Sequence, residues 1–473
     1  MLSLADVLEA LTGTRPEAAS LLLSETVVDS RQVIPAGIFV ALPGERVDGH
    51  DFIQSAFDRG AHLALVQRDP GIAWPVVDLQ GGLFSPQTIL PHPPFCIRVE
   101  NSLLALQELA AFWRKKLSLR VIGITGSVGK STTKELIAEV LSQRLRVLKT
   151  HSNYNNEIGL PLTLLRLSPG HQVAVLEMGD YVVGEIAFLC KLALPHVGVI
   201  TNVGTVHAER AGSQEEIARG ASELVEALPP SPDGVAILNY NDPLVQAMAK
   251  NTRARVLFYG LDPEADLWAD NIEGLGLNGI RFQMHFKNEV LHTRVPMIGR
   301  HSVQTVLRAV AVGLVEGFSW GEIINGLQHS RSQLRLVAVH TETGAMILDD
   351  AYNASPESTL AALNLLEEID GRKIAVLGDM LELGQYEQHG HQIVGVRAAE
   401  VADYLITVGK LGGLIAEAAL AAGLTSRQIL RVEDSHQATE VLRNLHKEGD
   451  VILVKGSHGL RMDRIVSALE VSG

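Results

Sequence analysis

The chain has 473 residues, enough for about three domains at ~150 residues apiece, and 46% of them are hydrophobic, which suits an ordinary globular core. A net charge of −14 argues against a nucleic-acid partner, although backbone amides on an acidic protein can still hold an anion locally. Two cysteines, Cys96 and Cys190, build neither a disulfide framework nor a zinc cluster, and no apolar run reaches the ~20 residues of a membrane span, so no membrane insertion and a cytoplasmic location are expected.

The predicted fold is α/β in three domains, 1–116, 117–330 and 331–473. The first is small. It holds short strands near 27–31 and 37–42, a helix near 52–60 and a Gly/Pro/Ser-rich surface loop at 79–94. Leu103, Leu106, Leu109, Ala110 and Trp113 recur at helical spacing, which predicts a helix over 102–116 leading into the next domain. In the central region, apolar runs at 173–176, 197–200 and 235–238 end at Glu177, Thr201-Asn202 and Asn239. They alternate with helical stretches, as in a mostly parallel sheet covered by helices. The last region repeats the pattern: runs at 345–348, 374–377, 404–408 and 451–454 end at Asp349-Asp350, Gly378-Asp379, Gly409 and Lys455-Gly456-Ser457. It reads as a second doubly wound, Rossmann-like domain without a phosphate loop. In such sheets ligands sit at the carboxyl ends of strands, where these polar clusters fall.

Gly-Ile-Thr-Gly-Ser-Val-Gly-Lys-Ser-Thr-Thr at 123–133 follows the β-branched pair Val121-Ile122 and precedes an amphipathic stretch, Lys134 to Leu141. Strand, glycine turn and helix together aim backbone N–H groups at one spot, at the positive end of a helix dipole. That spot suits phosphate, cradled by Thr125, Gly126, Ser127, Val128, Gly129 and Thr132. Lys130 adds a point charge for the β/γ-phosphates and Ser131 a hydroxyl for Mg²⁺. The central sheet is thus like that of a P-loop ATPase. Ile124 stands where the usual loop has its first glycine. Glu177, closing a strand after the loop, is either a second Mg²⁺ ligand or a solvated loop carboxylate. His207, with Glu209 two residues on, is either a further metal contact or a structural histidine. The loop 153–161, with Asn155 and Asn156, either touches the reacting groups or simply turns the chain.

Taken in order, Thr-Gly-x-x-Gly-Lys-Ser-Thr-Thr, Asn-Tyr-Asn-Asn-Glu-Ile-Gly-Leu-Pro, Glu-Met-Gly, Asn-Val-Gly-x-x-His, Leu-Asn-x-Asn-Asp and Gly-Arg-His resemble the Mur ligases of peptidoglycan synthesis. The resemblance runs nearly end to end. Asp29-Ser30-Arg31 and the 37–41 segment resemble a uridine-nucleotide-binding domain. The segments 349–358 and 377–384 resemble the member that adds D-alanyl-D-alanine, and the Asp-Asn-Pro-Arg of the member that adds one amino acid is absent.

The resemblance implies an ATP- and Mg²⁺-dependent amide ligase joining D-alanyl-D-alanine to UDP-N-acetylmuramoyl-tripeptide through an acyl phosphate. It also implies that the chain acts as a monomer. A ligase adding a single amino acid and a nucleotide-binding module without ligase activity are the alternatives. On this reading Lys130, Glu177, His207, Asn155 and Asn156 are catalytic, with Ser131, Glu177 and His207 on metal. Asn239, His301, Arg335 and Asp350 join the nucleotide site, and Asp29, Ser30, Arg31, Asn353, Asp379, Glu382, Lys455 and Ser457 bind substrate. Three departures stand out. The lysine usually carbamylated fourteen residues after His207 is Ala221, so activity is expected not to depend on bicarbonate. The two asparagines expected after His301 are Ser302 and Thr305. The second asparagine of the Asn-Ala-Asn-Pro motif is Ser355.

Overall fold

The computed structural model describes residues 2–470 apart from 17–18, 45–46, 72–73, 82–83, 180–181, 207 and 329–336. The chain is α/β, as the sequence predicts, and divides into two compact units. One comprises Met1–Gly123, Leu145–Gly179 and Ala187–His196; the other comprises Ile124–Arg144, Asp180–Ile186 and Val197–Gly473.

The first unit carries a five-stranded parallel sheet in the order Thr26–Val27, Ile38–Val40, Leu63–Val66, Phe95–Arg98, Val76–Asp78. Its three inner strands are buried except at Arg98, which is why they read as apolar runs rather than alternating ones. The predicted helix forms over Ser102–Lys116. Asn101 caps it by accepting from the Leu104 amide, and Leu106, Leu109 and Trp113 form the buried stripe. Its buried Arg114 donates to the Ala193 carbonyl at 2.8 Å. Lys116 at its end meets Asp6, which also receives Arg15.

In the second unit the strands Val197–Ile200, Val235–Asn239 and Arg255–Gly260 are parallel neighbours, and Leu267–Gly274 continues them. The expected β-α alternation then stops. Leu267–Gly274, Ile280–Phe286 and Glu289–Val295 form an antiparallel meander whose first connection holds a three-residue 3₁₀ turn, Gly276–Asn278, and no α-helix. The connections are too short for anything else, since a parallel return needs a dozen or more residues. At Lys287 the turn takes φ +53°, as a tight hairpin requires.

The helix Lys130–Leu141 begins four residues earlier than the amphipathic pattern suggests, so the phosphate loop supplies its first turn. The helix Ser302–Val315 packs against it. The last third is a six-stranded sheet in the order Val337–His340, Met346–Asp350, Asp450–Lys455, Arg372–Gly378, Tyr404–Val408, Ile429–Val432, parallel except at its first pair. Core clusters lie on both faces of this sheet, so its central strand Asp450–Lys455 is buried throughout. That is the doubly wound arrangement the sequence predicts.

Candidate active site

The loop before Lys130–Leu141 is shaped by two glycines. Gly126 has φ +126°, and a Cβ there would fall 2.2 Å from Thr201 Oγ1. Gly129, the N-cap, has φ +85°. Both conformations suit only a residue without a side chain. Asn202 holds the turn from the next strand: its carbonyl accepts from the Ser127 amide and its Oδ1 from the Val128 amide, each at 2.9 Å. Ser127 Oγ in turn accepts from the Gly204 amide. The first turn of a helix has amides without intrahelical acceptors, and here the glycine-framed loop leads straight into that turn. Lys130 Nζ folds back onto the Gly126 carbonyl. The cradle therefore fits a polyphosphate.

Beside the loop lies a cavity of about 210 Å³. Ser127, Val128, Gly129 and Thr132 form one wall, His301, Ser302 and Thr305 a second, and Asp350, Asn353 and Lys455 a third. Lys455 is buried, at 2% exposure; its Nζ meets Asp350 Oδ2 at 2.6 Å and the Asn353 carbonyl at 2.9 Å. His301 lies in the cavity with its surface open to solvent. Surrounding protein, then Lys455 and Arg308, push its pKa down to about 4. Solvent at its exposed face screens part of that effect, and the lowered value still leaves the imidazole mostly neutral at pH 7. Asn239 is buried and does not line the cavity: it donates to the Thr201 carbonyl and to Gln304 Oε1, and accepts from the Asn241 amide. Thr125 ends its strand fully buried.

In the first unit, Glu177 is 3% exposed, accepts from Asn155 Nδ2 at 2.9 Å, and has its own amide held by Thr150 Oγ1. Asn156 Oδ1 takes the Gly159 amide at the start of a helix, a capping role. Asp29 caps a short 3₁₀ turn and pairs with the exposed Arg31, while Ser30 is buried. In the second unit, Asp379 accepts from the Gly412 amide, Ser457 accepts from the Leu381 amide, and the Glu382 carbonyl accepts from Glu209. These three shape loops at the carboxyl end of their sheet. His207 and Arg335 lie outside the described residues.

Sequence reasoning noted Asn202 as a strand end and as the first residue of a family motif, without a role, and did not assign Arg308 or Glu357. Glu357 Oε1 accepts from the Thr205 amide at 3.2 Å, tying the helix Pro356–Glu368 to the loop after Val197–Ile200. Among the described residues no group of three or more His, Cys, Asp or Glu forms a cage for a metal ion. That is compatible with Mg²⁺, which keeps its waters and needs only one or two protein oxygens beside phosphate. The hydroxyl of Ser131 and the carboxylate of Glu177 are donors of that hard-oxygen kind. Ala221, at the position of the expected lysine, is buried on the helix Gln214–Glu226. No helix among the described residues is long and apolar enough to cross a membrane.

Three family descriptions match in sequence order: the Mur ligase catalytic domain over 24–114, the Mur ligase middle domain over 124–313, and the Mur ligase glutamate ligase domain over 334–458. The chain is 36% identical to the UDP-N-acetylmuramoyl-tripeptide--D-alanyl-D-alanine ligase of Bacillus subtilis, over 98% of this chain and 97% of that one. Against the Escherichia coli enzyme of the same name it is 34% identical, over 97% and 96%. Among solved structures, MurF from Acinetobacter baumannii superposes with a TM-score of 0.83 at 29% identity, covering 98% of this chain and 97% of that one. MurF ligase from Thermotoga maritima in complex with ADP gives 0.78 at 27% identity, with 97% of each chain covered.

Proposed function

The chain belongs to the Mur ligase family, and we propose that it joins D-alanyl-D-alanine to UDP-N-acetylmuramoyl-tripeptide at the expense of ATP. The observation that carries this reading is the cradle of Gly126–Thr132 opening on a cavity whose far wall is Asp350, Asn353 and Lys455. An ATP-dependent amide ligase must bring a carboxylate to a γ-phosphate, two anions, and then shield an acyl phosphate from water. The loop amides and Lys130 hold the polyphosphate and offset its charge. Lys130 leaves the Gly126 carbonyl to do so. The peptide carboxylate attacks the γ-phosphorus, the bond to the β-bridging oxygen breaks, and ADP leaves. The amine of D-alanyl-D-alanine then attacks the acyl carbon, and phosphate departs as the amide forms.

Ser131 would hold Mg²⁺, which would offset phosphate charge, and Glu177 is a further candidate oxygen ligand by family resemblance. Asn155 orients Glu177 through its 2.9 Å hydrogen bond. His207 and Arg335 stay candidates for metal and nucleotide contact by family resemblance. We assign uridine-nucleotide binding to 1–116 with Asp29, Ser30 and Arg31, ATP binding to 117–330, and closure over the nucleotide to 331–473, where Asn353, Asp379, Glu382, Lys455 and Ser457 face the substrates. The neutral His301 suits a nucleotide base better than a phosphate. A monomeric chain in the cytoplasm is part of the same reading.

Phosphate release from ATP tests it, with the product scored by mass. Release that needs both the tripeptide nucleotide and D-alanyl-D-alanine, with a matching amide product, is the expected result. Release stimulated by one amino acid instead would indicate the single-residue ligase. No release with any combination would leave a nucleotide-binding module.

A further inference from the structure

Arg308 lies on the helix Ser302–Val315 and is 5% exposed. Buried guanidinium groups are ordinarily matched by a carboxylate, because an uncompensated charge in the interior is costly. Here none pairs with it among the described residues. Nε donates to the Gln304 carbonyl and Nη2 to Thr305 Oγ1, both at 3.0 Å and both neutral acceptors. Nη1 is buried without a hydrogen-bond partner among the described residues. The Tyr259 ring lies 5.8 Å from the guanidinium carbon, but burial pushes that phenol up to about 12, and its hydroxyl is spent on the Ile200 and Thr201 carbonyls. It supplies no negative charge.

The position of this charge is informative. A Cβ built on Gly129 would lie 3.3 Å from Nη1 and 3.5 Å from Nη2. Gly129 is the N-cap of Lys130–Leu141, so the guanidinium sits against the positive end of a helix dipole. Without an anion, that placement is unfavourable twice over: the cation is unpaired, and it faces a like partial charge. A polyphosphate in the loop would relieve both at once. Thr305, which accepts from Arg308, also lines the cavity. Because its oxygen is already accepting, its hydroxyl hydrogen is left to donate elsewhere.

We propose that Arg308 is a positioning residue for the nucleotide's phosphates, a charge held behind Gly129 that reaches the polyphosphate through the loop and fixes Thr305 as a hydrogen-bond donor to the ligand. The inference rests on the nucleotide reading of the loop and adds to it a fixed cation besides the flexible Lys130. It also explains how a helix can carry an uncompensated cation in its core: the counter-charge arrives with the substrate.

The test compares full-length wild type with Arg308→Met and Arg308→Gln, using calorimetric titration with ADP and with adenosine, and thermal melting of each protein without ligand. Both variants should bind ADP about tenfold or more weakly while adenosine affinity stays as in wild type. The melting temperature without ligand should hold or rise, since the substitution removes an unpaired buried charge. Arg308→Gln keeps an amide donor for Thr305, so it reads the charge alone if Arg308→Met fails to fold. ADP affinity equal to wild type would overturn the proposal. So would parallel losses for ADP and adenosine with a lowered melting temperature, which is what a purely structural arginine gives. A wild type that binds no ADP would instead sink the nucleotide reading itself.

Discussion

Lys455 and Arg308 are both buried beside the same cavity, at 2% and 5% exposure, yet their surroundings differ. Lys455 comes from the last third of the chain and meets the Asp350 carboxylate at 2.6 Å. Arg308 comes from the central third and, among the described residues, hydrogen-bonds to neutral oxygens alone, with Nη1 left over. The first charge is neutralised by the protein, so its wall is set before any ligand arrives. The second awaits an anion. The side of the cavity that carries the phosphate loop is thus electrostatically unfinished, and the opposite side is complete.

That contrast can be broken first at Lys130, the flexible cation of the unfinished side. Lys130→Ala should lower kcat/KM about a thousandfold or more, with melting temperature unchanged, because among the described residues its ammonium hydrogen-bonds to the Gly126 carbonyl alone. Steady-state phosphate release checks it. The finished side should respond in stability instead. Lys455→Met takes the buried ammonium away from the partly exposed Asp350 and should cost about 1–3 kcal/mol by denaturant titration. Adding Asp350→Asn to it should recover part of that loss. The expected sign is opposite to that for Arg308.

A third charged cluster, in the other unit, sharpens the rule that paired charges stabilise the fold. Burial raises the Asp6 pKa, but hydrogen bonds from Arg15, Lys116 and Ser3 outweigh it and hold the carboxyl well below its usual range. A depressed carboxylate contributes stability that is complete above its unfolded value, near 3.8, and is lost as pH falls further. Asp6→Asn should therefore cost about 1.5–3 kcal/mol at pH 7 and flatten the acid limb of a melting-temperature profile. The smallest effect concerns Ala221, buried where a carbamylated lysine was expected. Activity should be the same with and without bicarbonate, as turnover in decarbonated buffer would show.

The contrast also marks what the sequence could disclose. The helix Ser102–Lys116 and the strands ending at Glu177, Asn239 and Asp350 were legible, since each pairs an apolar period with a polar stop. The meander after Leu267 was not anticipated, although Ile280, Phe282 and Met284 alternate cleanly with polar residues. Reading the region as β-α repeats hid that period of two. Around the loop, Lys130 and Ser131 were legible from spacing because their chemistry is local. Arg308 was not, because one arginine in a helix reads as surface. Only its place among Val303, Val306, Leu307 and Val310, all buried, marks it, and that is apparent once the helix is packed. Glu357 escaped for a similar reason: its partner Thr205 is 152 residues away.

The most direct measurement is a crystal structure with a non-hydrolysable ATP analogue and Mg²⁺. The β- and γ-phosphates should lie on the amides of the Gly126–Thr132 turn, with Lys130 swung from the Gly126 carbonyl onto them. An analogue bound elsewhere, with that turn vacant and Lys130 still folded onto Gly126, would contradict the account.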